Sequence, residues 1–435
     1  MILLLIASGI QAAAQPQPDS GMSIDRKTQA AIIDSVGAAL REEYVFPDVA
    51  KKMDALIRKN FMDGKYTRVT DPAAFAEKLA DDLRSVSHDR HLQVRYLTPG
   101  AEREEVVLTP EVQRLRNLDR LRAENFGFRK VEILPGNIGY IDFRFFAPAR
   151  DGGPTAIAAM NFLAHTDALI FDLRQNSGGN PSMIQLISSY LFEEPVHLNS
   201  FYIRKGDSTQ QFWTQEFVEG PRLTSVPVYV LTSSFTFSGA EEFTYNLKNL
   251  KRGTIIGEVT GGGAHPVNER VFRSLNVVLT IPFGRAVNPV SGTNWEGVGV
   301  EPDLRIPADR ALPVARTEAL KALIARAKDG MKKGKLQWLL DGLAVETNSV
   351  TVPDTLLAGC AGTYGPRSVR FRNGALYYQR EGRPEFRMIP MGGDRFMVET
   401  LDYFRLQFRR DSSGNVTELV GQYDNGGTDA NPRTR

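Results

Sequence analysis

One cysteine, Cys360, stands in 435 residues, so no intramolecular disulfide can form and a cysteine-built zinc site is excluded. Charge of one sign is also missing. Lys and Arg number 53 against 51 Asp and Glu, a formal +2, which excludes a highly basic nucleic-acid binder. With 24% charged and 42% hydrophobic residues the chain sits near the globular average, so wholesale disorder is excluded too. Histidine is scarce: His88, His91, His165, His197 and His265 are the five, and any imidazole chemistry must be found among them. Past the first residues no run approaches 18 uninterrupted apolar side chains, so no spanning helix and no stable membrane insertion are expected.

What is present begins with an apolar stretch. Residues 1–10 followed by Gln11-Ala-Ala-Ala14 read as a signal peptide over 1–14, too short to span a bilayer and atypical in having no Lys or Arg before its apolar run. An exported protein, periplasmic or secreted, is the expectation. At about 100–200 residues per domain, the length implies two to four domains.

Periodicity divides the rest. Ile32, Val36, Ala39 and Leu40, then Val49, Met53, Leu56 and Ile57, then Phe75, Leu79, Leu83 and Val86 recur at helical spacing, which predicts an N-terminal helical domain over 25–100. From 101 to 312 short β-rich runs alternate with helical stretches, the pattern of an α/β core. Two of those runs, 168–173 and 228–232, are almost wholly apolar and predict strands buried on both faces. A closing helix and linker are expected over 313–345. Turn pairs such as Asn373-Gly374 and Gly392-Gly393 then punctuate residues 354–435, which predicts a small antiparallel β module with a disordered tail from Asn425.

Four segments could carry chemistry. Thr236-Phe-Ser238-Gly239-Ala-Glu places a serine where a buried strand ends and a helix begins, and a helix N-terminus offers free N–H groups to an oxyanion. Taken alone, Ser238 reads as an ordinary N-cap. Asp172-Leu-Arg174-Gln-Asn176-Ser-Gly178-Gly179 is a second strand-to-helix turn, whose glycines can present N–H groups or simply make a tight turn. It lacks the Lys-Ser/Thr pair of a nucleotide loop. Ser87-His88-Asp89-Arg90-His91 offers a general base beside a carboxylate, or a solvated turn and a packed loop histidine. No third ligand for a metal is suggested nearby. Glu296-Gly-Val-Gly-Val-Glu301-Pro-Asp303 supplies carboxylates that could orient a histidine, or plain turn chemistry.

In order, these elements resemble the C-terminal-processing (tail-specific) protease superfamily, in particular its branch with the tricorn core protease and the modules of interphotoreceptor retinoid-binding protein. The resemblance rests on Asp89-Arg-His-Leu92, Asn137-Ile-Gly-Tyr-Ile141, Asp172-Leu-Arg-x-Asn-x-Gly-Gly179, Thr236-Phe-Ser-Gly-Ala-Glu241, Gly257-Glu-Val-Thr-Gly-Gly262 and Glu296-Gly-Val-Gly-Val-Glu-Pro-Asp303. It implies an α/β fold with a ClpP/crotonase-like ββα core. It also implies Ser238 as nucleophile, with an oxyanion hole from Gly239 and the Gly178-Gly179 turn. The processing branch has a base lysine at about the place of Gly263, and no lysine stands there. That leaves the tricorn-like scheme, with His91 as base, Glu296 in support and His88 as the alternative base. The tricorn-like pattern has a serine before its histidine where this chain has Arg90, and Ser87-His88 repeats that dipeptide three residues earlier. About 45 residues separate His91 from Asn137, too few for an inserted PDZ domain of about 90.

The resulting expectation is a serine-type endopeptidase acting on polypeptides, with no cofactor, no metal, no nucleic-acid partner and no Ser-Lys dyad. The alternatives are a non-catalytic binding protein for apolar ligands or peptides on the same scaffold, and a serine esterase. The substrate sequence and the oligomeric state leave no mark that the residues reveal.

Overall fold

A computed structural model describes residues 23–97, 110–347 and 350–434; the expected signal peptide lies outside them. The described residues form two compact units, one of those from 23 to 134 and 139 to 312, the other of those from 135 to 138 and 313 to 434. The helical layer and the α/β region, expected as separate domains, therefore belong to one unit.

Three helices open the first unit: α1 (Arg26–Glu43), α2 (Pro47–Met62) and α3 (Pro72–Ser87). Asp25 and Asp71 cap α1 and α3 by accepting from the Thr28 and Ala74 N–H groups, each at 2.7 Å, and Pro47 and Pro72 start helices where no N–H is needed. Their apolar stripes, including Val36, Leu40, Met53, Ile57, Phe75, Leu79 and Leu83, are fully buried. They pack against Leu92 and Val94 of β1 (Gln93–Tyr96) and Val277, Leu279 and Ile281 of β10 (Val277–Pro282). β1 pairs antiparallel with β10, which pairs in turn with β9 (Val267–Phe272), so the first layer is sewn to a strand nearly two hundred residues later.

The main sheet has the order β12-β8-β7-β4-β3-β2, from β2 (Phe128–Leu134), β3 (Ile138–Phe143), β4 (Ala168–Asp172), β7 (Val228–Thr232), β8 (Thr254–Gly257) and β12 (Leu304–Arg305). β4, β7, β8 and β12 run parallel. Every residue of β4 and β7 is buried, as their unbroken apolar runs require. Because Asp172 is level with Leu231, the loops leaving β4 and β7 emerge side by side. That adjacency creates the site. A third sheet, ordered β11-β5-β6, is built from β5 (His197–Ile203), β6 (Ser208–Trp213) and β11 (Gly284–Val287).

In the second unit, helices Ala311–Arg326 and Gly330–Thr347 precede eight strands between Gly362 and Pro432, each antiparallel to the next in chain order. A bridge between Tyr364 and Arg433 brings the last segment back to the first strand, closing the meander. Residues after Asn425, expected as a disordered tail, instead form the closing strand Thr428–Pro432, paired along Glu418–Gln422. Ring closure satisfies edges that an open meander would leave bare.

Candidate active site

Ser238 caps the helix Gly239–Asn249 with φ 53° and ψ −120°, a conformation that costs a non-glycine residue about 1–3 kcal/mol. The surroundings hold it there. Glu241 accepts from the Ser238 N–H at 2.8 Å, and the Phe237 N–H donates to the Asn176 carbonyl at 3.1 Å. Thr236 Oγ1 reaches back to the Leu173 carbonyl at 2.8 Å, and Ser233 Oγ to that of Arg174 at 2.5 Å. The last three of these bonds tie the loop after β7 to the loop after β4.

The Asp172-Leu-Arg174-x-Asn176-x-Gly-Gly179 pattern now has a physical account. Asp172 accepts from Tyr140 at 2.7 Å and takes the Arg174 guanidinium on both oxygens, at 2.9 and 2.6 Å; the same arginine donates to the Ala308 carbonyl. Asn176 is completely buried and donates to the Phe143 carbonyl at 2.8 Å. Its Oδ1 accepts from the Gly178 N–H at 2.8 Å. This corrects one expectation: an amide has one proton, so Gly178 is committed to Asn176 and Gly179 is left as the donor of the pair. Both positions must be glycine. A Cβ on Gly178, at φ 103°, would stand 2.7 Å from the Gly239 nitrogen, and one on Gly179 would stand 2.2 Å from the Phe146 carbonyl oxygen. A Cβ on Gly239 would stand 2.9 Å from the Gly179 nitrogen, so the two amides are neighbours.

Ser238, Gly239 and Gly179 line a cavity of about 360 Å³ together with His91, His265, Phe201, Phe237, Trp295 and Glu242. His91 packs its ring on Phe237, centroids 4.7 Å apart, and its Nδ1 is enclosed without a hydrogen-bond partner among the described residues. Burial pulls its pKa down to about 4, against the opposing charge of Asp89. His88 is elsewhere: it is the exposed, left-handed C-cap of α3 at φ 55° and does not line the cavity.

Glu296 reaches a different histidine from the one expected. His265 Nδ1 lies 2.6 Å from Asp89 Oδ2 and 3.5 Å from Glu296 Oε2, and Glu296 also accepts from the Ala264 N–H at 2.6 Å. Tyr44 donates to Asp89 from the helical layer at 3.2 Å. Burial alone would depress His265, but the hydrogen bond and charge of Asp89, with the charge of Glu296, carry its pKa above the ordinary value. Burial and the neighbouring Asp89 raise Glu296. No local sequence pattern assigns a role to Asp89 or singles out His265. The available clue was position: His265 follows the Gly261-Gly-Gly-Ala264 loop, two residues past the missing lysine.

Glu241 welds this loop to the serine. Its carboxylate accepts from Thr260 Oγ1 at 2.5 Å and from the Gly262 and Gly263 N–H groups at 2.6 and 2.8 Å, besides Ser238. Burial pushes its pKa up to about 7 in spite of these four donors.

Residues 137–306 match the model of Peptidase family S41, and residues 24–126 match that of the N-terminal domain of Peptidase S41 in eukaryotic IRBP. The chain belongs to peptidase family S41. The two S41 regions hold all the cavity-lining residues named above, His91 in the N-terminal one and Ser238 in the other. Tricorn protease of Thermoplasma volcanium is 29% identical over 147 residues, which cover 33% of this chain and 13% of that protein. The S41 chain thus aligns with a small part of that relative. Among solved structures, mature CPAF superposes on 68% of this chain and 97% of its own at 13% identity and a TM-score of 0.47. A peptidase from Parabacteroides merdae covers 70% and 98% at 17% identity and a TM-score of 0.45.

Proposed function

We propose that this S41 protein is a serine-type endopeptidase that hydrolyses peptide bonds in polypeptides. The observation that carries the reading is the juxtaposition of a strained Ser238 at a helix N-terminus with two neighbouring amides, Gly239 and Gly179, on a cavity that also holds histidine. Ser238 Oγ attacks the peptide carbonyl as His91, neutral and with a free ring nitrogen, takes the hydroxyl proton. The Gly239 and Gly179 N–H groups receive the oxyanion. The C–N bond then breaks, the proton passes to the leaving amine, and water repeats the sequence on the acyl-enzyme with Ser238 as leaving group.

A second reading of the base is favoured by one observation. His265 has what His91 lacks, a carboxylate on Nδ1 that fixes its tautomer and stabilises its imidazolium. In this variant Asp89 and Glu296 support His265, and His91 is a wall of the cavity. The apolar residues 1–10 and the small residues after them support export, and no described helix is long and apolar enough to cross a membrane. The test is Ser238→Ala, which is expected to abolish cleavage of an unfolded polypeptide and labelling by a fluorophosphonate. A variant cleaving as fast as the parent would end the assignment.

A further inference from the structure

One acid on the cavity wall is unused by either scheme. Glu242 is 3% exposed and lines the cavity with Ser238, and its Oε1 is enclosed with no hydrogen-bond partner among the described residues. A buried acceptor without a partner is costly, and burial accordingly pushes this carboxyl up to about 8, with the Asn199 side chain opposing. The other charged groups on the wall are occupied or of another kind. Arg95 and Glu269 pair with each other, His265 is held by Asp89, and His91 is neutral at pH 7.

Glu242 is four residues beyond Ser238 on the same helix, about 6 Å along its axis. Helical side chains lean toward the N-terminus, so the carboxyl is directed back toward the serine end. An extended lysine side chain spans about 6 Å from Cα to Nζ. The same cavity is lined by Phe237, Phe201 and Trp295, apolar surfaces suited to the methylene stem.

We propose that Glu242 is the floor of a side-chain subsite that selects lysine or arginine beside the scissile bond. A cationic head in the cavity gives this buried carboxyl a charged partner, whereas an apolar side chain of the same length leaves the acid unpaired. This inference deepens the serine-peptidase reading and rests on it for the word scissile, though the cation site can be measured without turnover.

The experiment has two arms. In the first, benzamidinium is titrated by calorimetry into the full-length Ser238→Ala protein and into Ser238→Ala/Glu242→Gln, with circular dichroism to establish that both are folded. Saturable binding that weakens at least tenfold with Glu242→Gln is expected; absent or equal binding overturns the subsite. In the second, parent and Glu242→Gln are compared on matched peptides carrying lysine or norleucine at one position. The lysine-to-norleucine ratio of kcat/KM is expected to exceed about 100 in the parent and to fall toward one in the variant, the loss expected when a buried charge partner is removed. Cleavage by the parent without preference for basic residues overturns the subsite while leaving the peptidase intact. Benzamidinium binding by Ser238→Ala with no turnover by the parent sinks the peptidase reading and leaves the subsite standing.

Discussion

A histidine accepts a proton only while it is neutral, so the two histidines on the cavity wall impose different pH profiles. kcat/KM rises as the pH climbs through the pKa of the base in the free enzyme. If His91 is the base, its depression to about 4 puts that rise near pH 4, and the profile is flat from about pH 5 to neutrality. If His265 is the base, its elevated pKa puts the rise above the ordinary 6.5. Measuring kcat/KM between pH 4 and pH 9 for the parent, His91→Ala and His265→Ala separates them. An acid limb above 6.5 that vanishes with His265→Ala would remove His91 from the mechanism. The same residue scale explains the weight on Asn176. One side chain draws the Gly178 proton inward and so leaves the Gly179 amide beside Gly239.

Glu241 works at the scale of elements, because its four donors come from the end of one helix and from the loop at 260–263. Removing it strands three buried amides and a hydroxyl, so Glu241→Ala is expected to lose at least about 3 kcal/mol in denaturant unfolding. Loss of under about 1 kcal/mol would mean that water replaces the carboxylate and that the weld is not structural. Elements of this kind differed in how readable they were. β4 and β7 announced themselves as unbroken apolar runs because both faces are buried, and Ser238 with the Gly-Gly turn lay at their ends. β6 did not, since five of its six residues are exposed, and the closing strand Thr428–Pro432 is exposed or partly so throughout. Asp89 and His265 stand 176 residues apart, and no local pattern announces a pairing made by tertiary packing. Neither does sequence reveal which of two adjacent glycine amides is already taken.

At the scale of the molecule, the second unit owes its closure to its last strand, and that strand is short and polar. Ending the chain after Gly427 is expected to bare the edges at Gly362–Tyr364 and Val416–Tyr423 and to produce oligomers on size-exclusion chromatography. A formal charge of +2 on 435 residues gives little electrostatic repulsion to oppose such pairing. A truncated chain that elutes as the parent does, with unchanged amide-exchange protection in the remaining strands, would show that closure is dispensable. In the first unit, the contact between Asp89 and His265 joins the opening helical layer to a loop far along the chain, and Glu296 comes later still. During synthesis, therefore, a chain grown past His265 but short of Glu296 carries Ser238, Asp89 and His265 but not Glu296, so the site as the folded protein has it is incomplete. If His265 with Asp89 and Glu296 is the base system, the growing polypeptide is spared its own chemistry until the core has emerged.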